Sequence, residues 1–354
     1  MPLFDALSDL LVDDGLELQV AHPTPSGDQG RRGDSASGSW SVPVRSRSVR
    51  VGRETFHLRS SRQFLADSAL IIAELASTNL DTYGLLMQRR TPVALWGHGK
   101  AYVTAANRLD TWLEVRLCQR AVHTIVYTES GAQHLDRQGI PRDKITVAWN
   151  STDTESLRAA LQALTDAEIE QFRATHSLTA STAVFVGALD ESKRLDLLLD
   201  AVPLIQAEIP DFRLAIAGGG PLQRYVDDRA ASNAAIRVLP HAGLHTLALL
   251  GKTAQVCLVP GRVGLVAIDA MTLGLPLVTT DWRYHAPEHD YLRPAFSVTT
   301  QQTPVEFAAG AVSILSHQDE RVTMSSAAQR EAQQYSVTNM AENMHLAIRE
   351  ALRL

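Results

Sequence analysis

The chain has 354 residues, of which 45% are hydrophobic and 20% charged. That is more than one ordinary domain and too apolar for disorder, which excludes a single small binding module. The formal charge of -6 excludes a general attraction to nucleic acid, and the two cysteines, Cys118 and Cys257, supply neither a disulfide framework nor a four-ligand zinc site.

The opening MPLFDALSDL reads as a helix with Pro2 in its first turn and lacks the basic and apolar regions of a signal peptide. A doubly wound domain usually opens on a strand, so an opening strand is missing from the pattern. The run LELQV predicts a strand, and residues 26–40, rich in Gly, Ser and Asp, predict a mobile loop. Residues 31–62, bounded by Arg31 and Arg62, hold eight Arg against Asp34 and Glu54. Two readings fit: a solvated loop with an edge strand, or a basic face for anionic lipid head groups extended by Arg108, Arg116 and Arg120 near Trp112. The runs ALIIAELA, PVALW, HTIVY and KITVA predict further strands, with helices at TNLDTYGLLMQRR, 103–120 and 130–138. Strand, helix, strand implies parallel pairing.

The rhythm breaks at 151–181, a polar stretch expected to be a linker holding one helix between a first domain, 1–150, and a second, 182–334. In the second, TAVFV, RLAIA, IRVLP, QVCLVP, PLVTT and FSVTT alternate with helical segments. A last helix over 335–354 places Met340, Met344, Ala347 and Ala351 on one face, suited to packing back across both domains. No apolar run approaches the roughly 20 residues of a membrane span. A cytoplasmic protein is expected, with a peripheral position at the inner membrane face as the alternative.

Chemistry concentrates in the second half. The run VPGRVGLVAIDAMTLGLPLVTTD is strand, glycine turn, helix, strand. Such a turn aims free N–H groups and the positive end of a helix dipole at whatever lies above the strand ends, which is an anion site near Gly264; Gly261 lets a ligand approach and Arg262 adds charge. The alternative is a tight turn without ligand. In FVGALDESKRLDLLLDAV, Lys193 and Arg194 precede a helix, either for the same phosphate or as a solvated helix start beside Asp190, Glu191 and Asp196. LAIAGGGPL lacks the dinucleotide fingerprint. In VALWGHGKAY, His98 sits between two glycines at a strand end, and DWRYHAPEHDYL carries His285 and Glu288. His98 is either satisfied by local backbone or free for a ligand, and Glu288 suits a helix cap.

These runs resemble glycosyltransferase family four, retaining enzymes with the GT-B fold, two Rossmann-like domains facing each other across a cleft. The likeness is strongest over 182–292, in the runs "VGRL…K…LLDA", "GxGPL" and "EGFGLVxLEAMAxGLPVV". The resemblance implies a nucleoside-diphosphate sugar as donor and no cofactor. It implies that Lys193 contacts the diphosphate, Gly219 and Gly220 line the donor cleft, Val263, Gly264 and Leu265 offer N–H groups, and Asp269 holds the ribose. His98 would contact the sugar or acceptor, Lys100 would assist an anionic acceptor, and His98 and Lys193 would be the catalytic residues. The chain departs from the family at Ala188, where an Arg is usual, and at Gly261 and Asp269, where two Glu are usual. Arg194 and Arg262 are the candidates to replace the lost charge, with an altered sugar preference as the consequence.

The expected reaction moves a hexose-type sugar, with retention, to a hydroxyl of a glycan or lipid-linked glycan. The chain has no Asp-x-Asp, so no metal is expected. A nucleotide-sugar epimerase of the same fold and an inactive sugar-nucleotide-binding subunit are the competing readings.

Overall fold

The computed structural model describes residues 2–23, 38–52, 54–60, 64–65, 67–88, 90–103, 107–239 and 243–354. The chain divides into two compact units, Met1–Asn150 with Val337–Leu354, and Ser151–Ser336. Both are α/β with parallel sheets.

The first unit begins with α1 (Pro2–Asp13) and a parallel pair, β1 (Val20–Pro23) and β2 (Ser41–Val44). A hairpin of β3 (Ser46–Val51) and β4 (Glu54–Arg59) follows. Then β5 (Ile71–Glu74), β6 (Val93–Gly97), β7 (Thr124–Val126) and β8 (Ile145–Val147) form a parallel sheet in that order. Between them run α2 (Leu80–Met87), α3 (Arg108–Arg120) and α4 (Glu129–Arg137). The strand expected at LELQV starts later, at Val20, because Leu16 and Leu18 pack into an apolar cluster with α1 instead. The basic stretch is partly described. It forms β2, β3 and β4, and Arg59 pairs with Glu74 at 2.7 Å. Residues 31–37, 53, 61 and 62 of that stretch, and 26–37 of the expected loop, lie outside the described residues. Trp40, at the loop's end, is buried, donates to Asp5 at 2.8 Å and packs on Phe4.

The C-terminal helix, Val337–Leu352, belongs to this first unit. Its stripe of Met340, Met344 and Ala347 is buried against Leu7 and Leu11 of α1. Asp14, just past α1, takes His345 Nε2 at 2.6 Å and Arg349 Nη1 at 3.3 Å.

The second unit starts where a linker was expected. Residues 151–181 form two helices, α5 (Thr154–Ala163) and α6 (Asp166–Thr175), and Leu157 and Leu178 are buried in the unit's core. The stretch reads as polar because its sequence is spent on exposed faces and caps, including a capping box of Thr165 and Glu168. Six parallel strands follow: β9 (Thr182–Val186), β10 (Arg213–Ala217), β11 (Ile236–Leu239), β12 (Val256–Val259), β13 (Leu277–Thr280) and β14 (Ser297–Thr300). Their helices are α7 (Leu195–Glu208), α8 (Gln223–Ser232), α9 (Leu244–Thr253), α10 (Val266–Leu273), α11 (Pro304–Ser316) and α12 (Gln318–Glu331). Strands buried on both faces read as continuous apolar runs, as TAVFV and VCLV do.

The sheet order is β11-β10-β9-β12-β13-β14. Chain progression reverses between β9 and β12, so a crevice opens outside the carboxyl ends of those two strands. The residues after Val186 and after Val259 are placed there by topology alone.

Candidate donor site

Two turns meet at the switch point. After β9 the chain turns through Gly187, with φ +153°, to a 3-10 turn, Glu191–Lys193. After β12 it turns through Gly261 into α10. The turns are packed backbone on backbone: Arg262 N donates to Ser192 O at 2.7 Å, and a Cβ at Gly261 would run into the Ser192 carbonyl and the Lys193 main chain. Glycine at 261 is therefore demanded by packing, and no carboxylate side chain fits at that place without moving a turn.

Lys193 closes the arrangement. Its Nζ donates to the Arg262 carbonyl at 2.6 Å, so the ammonium lies against the turn that opens α10. Burial lowers its pKa, Asp190 and Glu288 oppose that, and Arg262 adds to it. An ammonium has three donors, so two directions remain for another acceptor. The N–H groups of Gly264 and Leu265 have no acceptor among the described residues, as expected for a helix start. Leu265 is exposed, and the surroundings of Gly264 are Ala286 and the Glu288 carboxylate, 3.6 and 3.8 Å from where a Cβ would stand. An ammonium, two N–H groups and a helix dipole thus converge on one edge.

Other expected members act differently. The Val263 N–H is already committed: it donates to His285 Nδ1 at 3.0 Å, while His285 Nε2 donates to the Thr280 carbonyl at 3.0 Å. His285 is buried and stacked on His289 at 3.9 Å. Burial first, then His289, pushes its pKa down to about 4, so it is neutral at pH 7 and clamps the turn. Glu288 is buried within the turn Pro287–Tyr291, whose cap position is Ala286, so it is not a cap. Arg194 adopts a left-handed backbone, φ +51°, pairs with Asp196 at 3.0 Å, and lies over the Trp282 ring at 5.4 Å. Arg262 donates through Nε to Tyr284 O at 3.3 Å. A Cβ at Gly219 would meet open space, whereas a Cβ at Gly220 would meet Leu189 O at 2.6 Å, so close packing requires glycine at 220. Asp269 accepts from Thr152 Oγ1 at 2.9 Å, and burial raises its pKa to about 6.

In the first unit, His98 follows β6 and is exposed, with its ring edge-on to Tyr102 at 6.0 Å and tilted on Tyr127 at 5.2 Å. Local desolvation lowers its pKa and Glu74 opposes this. Lys100 Nζ lies 4.4 Å over the Tyr102 ring. The Tyr102 hydroxyl bonds Thr128, the cap of α4, and Ser130 at 2.9 Å. A Cβ at Gly131 would meet His98 O at 2.5 Å, so glycine seats the His98 turn on the start of α4. Sequence reasoning missed Tyr102, Tyr127, Thr128, Thr152 and Trp282. Only Thr128 carried a local signal, as a Thr before a helix start.

Each unit matches a glycosyltransferase family model. Residues 4–156 match the model of Glycosyltransferase Family 4, and residues 180–317 match Glycosyl transferases group 1. A D-inositol 3-phosphate glycosyltransferase of Jonesia denitrificans is 25% identical over 247 residues, covering 66% of this chain and 54% of that one, so the chain spans about half the length of this relative. A Rickettsia africae glycosyltransferase structure aligns with a TM-score of 0.70 at 11% identity, over 99% of this chain and 94% of that one. The Anabaena HepE structure in complex with UDP aligns at 0.64 and 15% identity, over 81% and 80%. The pneumococcal O-GlcNAc transferase GtfA with UDP and GlcNAc aligns at 0.61 and 18% identity, over 83% and 59%. The fold is GT-B.

Proposed function

We propose that the chain, whose residues 4–156 match the Glycosyltransferase Family 4 model and whose residues 180–317 match the Glycosyl transferases group 1 model, moves a sugar from a nucleoside diphosphate to an acceptor hydroxyl, with the second unit holding the donor. The observation that carries this reading is the meeting of Lys193 Nζ with the turn before α10, where the Gly264 and Leu265 N–H groups have no acceptor among the described residues. Negative charge grows on the departing diphosphate, and fixed donors that need no reorganisation lower that barrier most. His285 positions these donors, and Asp269 is the candidate ribose contact. UDP in structures that share the fold supports a nucleotide-sugar donor.

The reading extends to a hexose-type sugar, to retention of configuration and to turnover without a metal. On the acceptor side, His98 with Lys100, Tyr102 and Thr128 suits an acceptor bearing an anionic group. The name of the Jonesia denitrificans relative supports that class. The test is incubation of the full chain with UDP-, GDP- and ADP-sugars in EDTA, with and without inositol phosphate or a glycan acceptor. Transfer in EDTA is the expected result. Donor turnover without acceptor would make it an epimerase or hydrolase. Absence of binding to every sugar nucleotide, by folded protein, would defeat the proposal.

A further inference from the structure

The helices α2 and α3 cover the same side of the first unit's sheet: Leu85 of one and Leu117 and Cys118 of the other are buried in one cluster. Right-handed crossovers between strands taken in sequence order place them there. Their outer faces are not those of ordinary solvated helices. On α2 the exposed residues are Leu80, Gly84 and Met87, spaced i, i+4 and i+7, with no charged side chain. On α3 they include Arg108, Leu109, Trp112, Arg116 and Arg120. Met87 is 74% exposed, Leu109 60% and Trp112 54%. The two faces join at one end, where Met87, Arg90, Arg120 and Val122 line a surface hollow of about 610 Å³.

Charge is sorted by sign across α3. Its two carboxylates turn toward the segment before α2. Asp110 accepts from Ser77 Oγ at 3.2 Å, and burial, then Asp110, pushes the Glu114 pKa up to about 7. Acids that would be freely solvated on the outer face are thus held inside, against desolvation and mutual repulsion. Among the described residues of 80–122 no acidic residue is exposed, whereas Arg90, Arg108, Arg116 and Arg120 all are. The whole chain carries -6, so this local excess of positive charge is not a matter of composition. The Arg116 guanidinium lies 5.4 Å over the Trp112 ring, which keeps cation and aromatic surface together. Residues 24–37, outside the described set, contain no Leu, Ile, Val, Met or aromatic side chain with which to cover this face.

We propose that the outer face of α2 and α3 docks the chain on the surface of a bilayer containing anionic lipid. Trp112 takes head-group depth with Leu109 and Met87 beside it, and the arginines reach lipid phosphates while their stems stay on the apolar surface. A single sign of charge, with apolar side chains set among the cations, suits a plane of phosphates over hydrocarbon. A protein partner would need a fixed carboxylate opposite each arginine. The inference stands apart from the donor reading, which concerns the second unit.

The test is sedimentation of the full chain with vesicles of phosphatidylcholine alone, or of phosphatidylcholine and phosphatidylglycerol in equal parts, at low and high salt. Binding is expected to the mixed vesicles only, and to fall as salt rises. Arg116→Glu is expected to weaken it about tenfold or more, and Trp112→Ala to weaken it as well. Arg224→Glu makes the same charge change at a 95% exposed side chain of α8 and is expected to leave binding as it was. Circular dichroism like that of the parent chain shows each variant folded. No binding to the mixed vesicles would overturn the proposal, as would equal binding to phosphatidylcholine alone, an equal loss from Arg224→Glu, or parent-like binding by folded Trp112→Ala. A dimer in solution that Trp112→Ala dissociates would overturn it too, marking a face between copies of the chain.

Discussion

At the residue scale, the donor turn depends on groups whose charge is set by burial. His285 has a pKa pushed from 6.5 down to about 4 by burial and by His289. The folded state therefore binds fewer protons than the unfolded state between these values, so stability is full above pH 6.5 and falls as pH drops toward 4, by roughly 3 kcal/mol for this group. His285→Phe is expected to flatten that part of the stability profile in urea denaturation at several pH values, and an unchanged slope would speak against the clamp. Asp269 runs the other way. Burial raises its pKa from 3.8 to about 6, so its contribution worsens as pH rises through that window. Asp269→Asn should raise the melting temperature at pH 7 while weakening sugar-nucleotide binding, the signature of a carboxylate kept for function at a cost in stability.

At the element scale, the tight contact of the two turns explains a departure that sequence reasoning placed but did not understand. Gly261 was expected to let a ligand approach; its missing side chain also lets the α10 turn rest on Ser192 and Lys193. Gly261→Ala is expected to cost about 1–3 kcal/mol by overpacking and to weaken nucleoside-diphosphate binding with it, read by urea denaturation and calorimetry. The strands of the second unit were legible because they are buried on both faces: TAVFV and RLAIA coincide with Thr182–Val186 and Arg213–Ala217. The β3–β4 hairpin was not legible. Its strands, SRSVRV and ETFHLR, are mostly polar or charged and give no apolar run. In the site, the order strand, glycine turn, helix marked the start of α10, while Lys193 by itself read either as a phosphate contact or as part of a solvated helix start, and only the family resemblance assigned it to the diphosphate. The commitment of the Val263 N–H to His285 was not legible, because it joins residues 22 apart in sequence.

At the scale of the whole molecule, the chain crosses into the second unit after Asn150 and returns to the first at Val337. The returning helix is part of the first core, through Met340, Met344 and Ala347 and through the Asp14 pairs. Removing 337–354 would expose Leu7, Leu11, Ile125 and Ala148, which share that cluster. Two calorimetric transitions are expected for the full chain, and truncation should lower the one belonging to the first unit and leave the other in place. Among the described residues no helix is long and apolar enough to cross a membrane.

The most direct measurement is calorimetric titration of the full chain and of Lys193→Met with a nucleoside diphosphate and with the matching nucleoside, in EDTA. A charge-assisted hydrogen bond is worth about 1.5–3 kcal/mol, so the substitution should weaken diphosphate binding about ten- to a hundredfold and leave nucleoside binding unchanged. Equal affinity of both proteins for the diphosphate would contradict the account, because the ammonium beside α10 would then not be holding the leaving group.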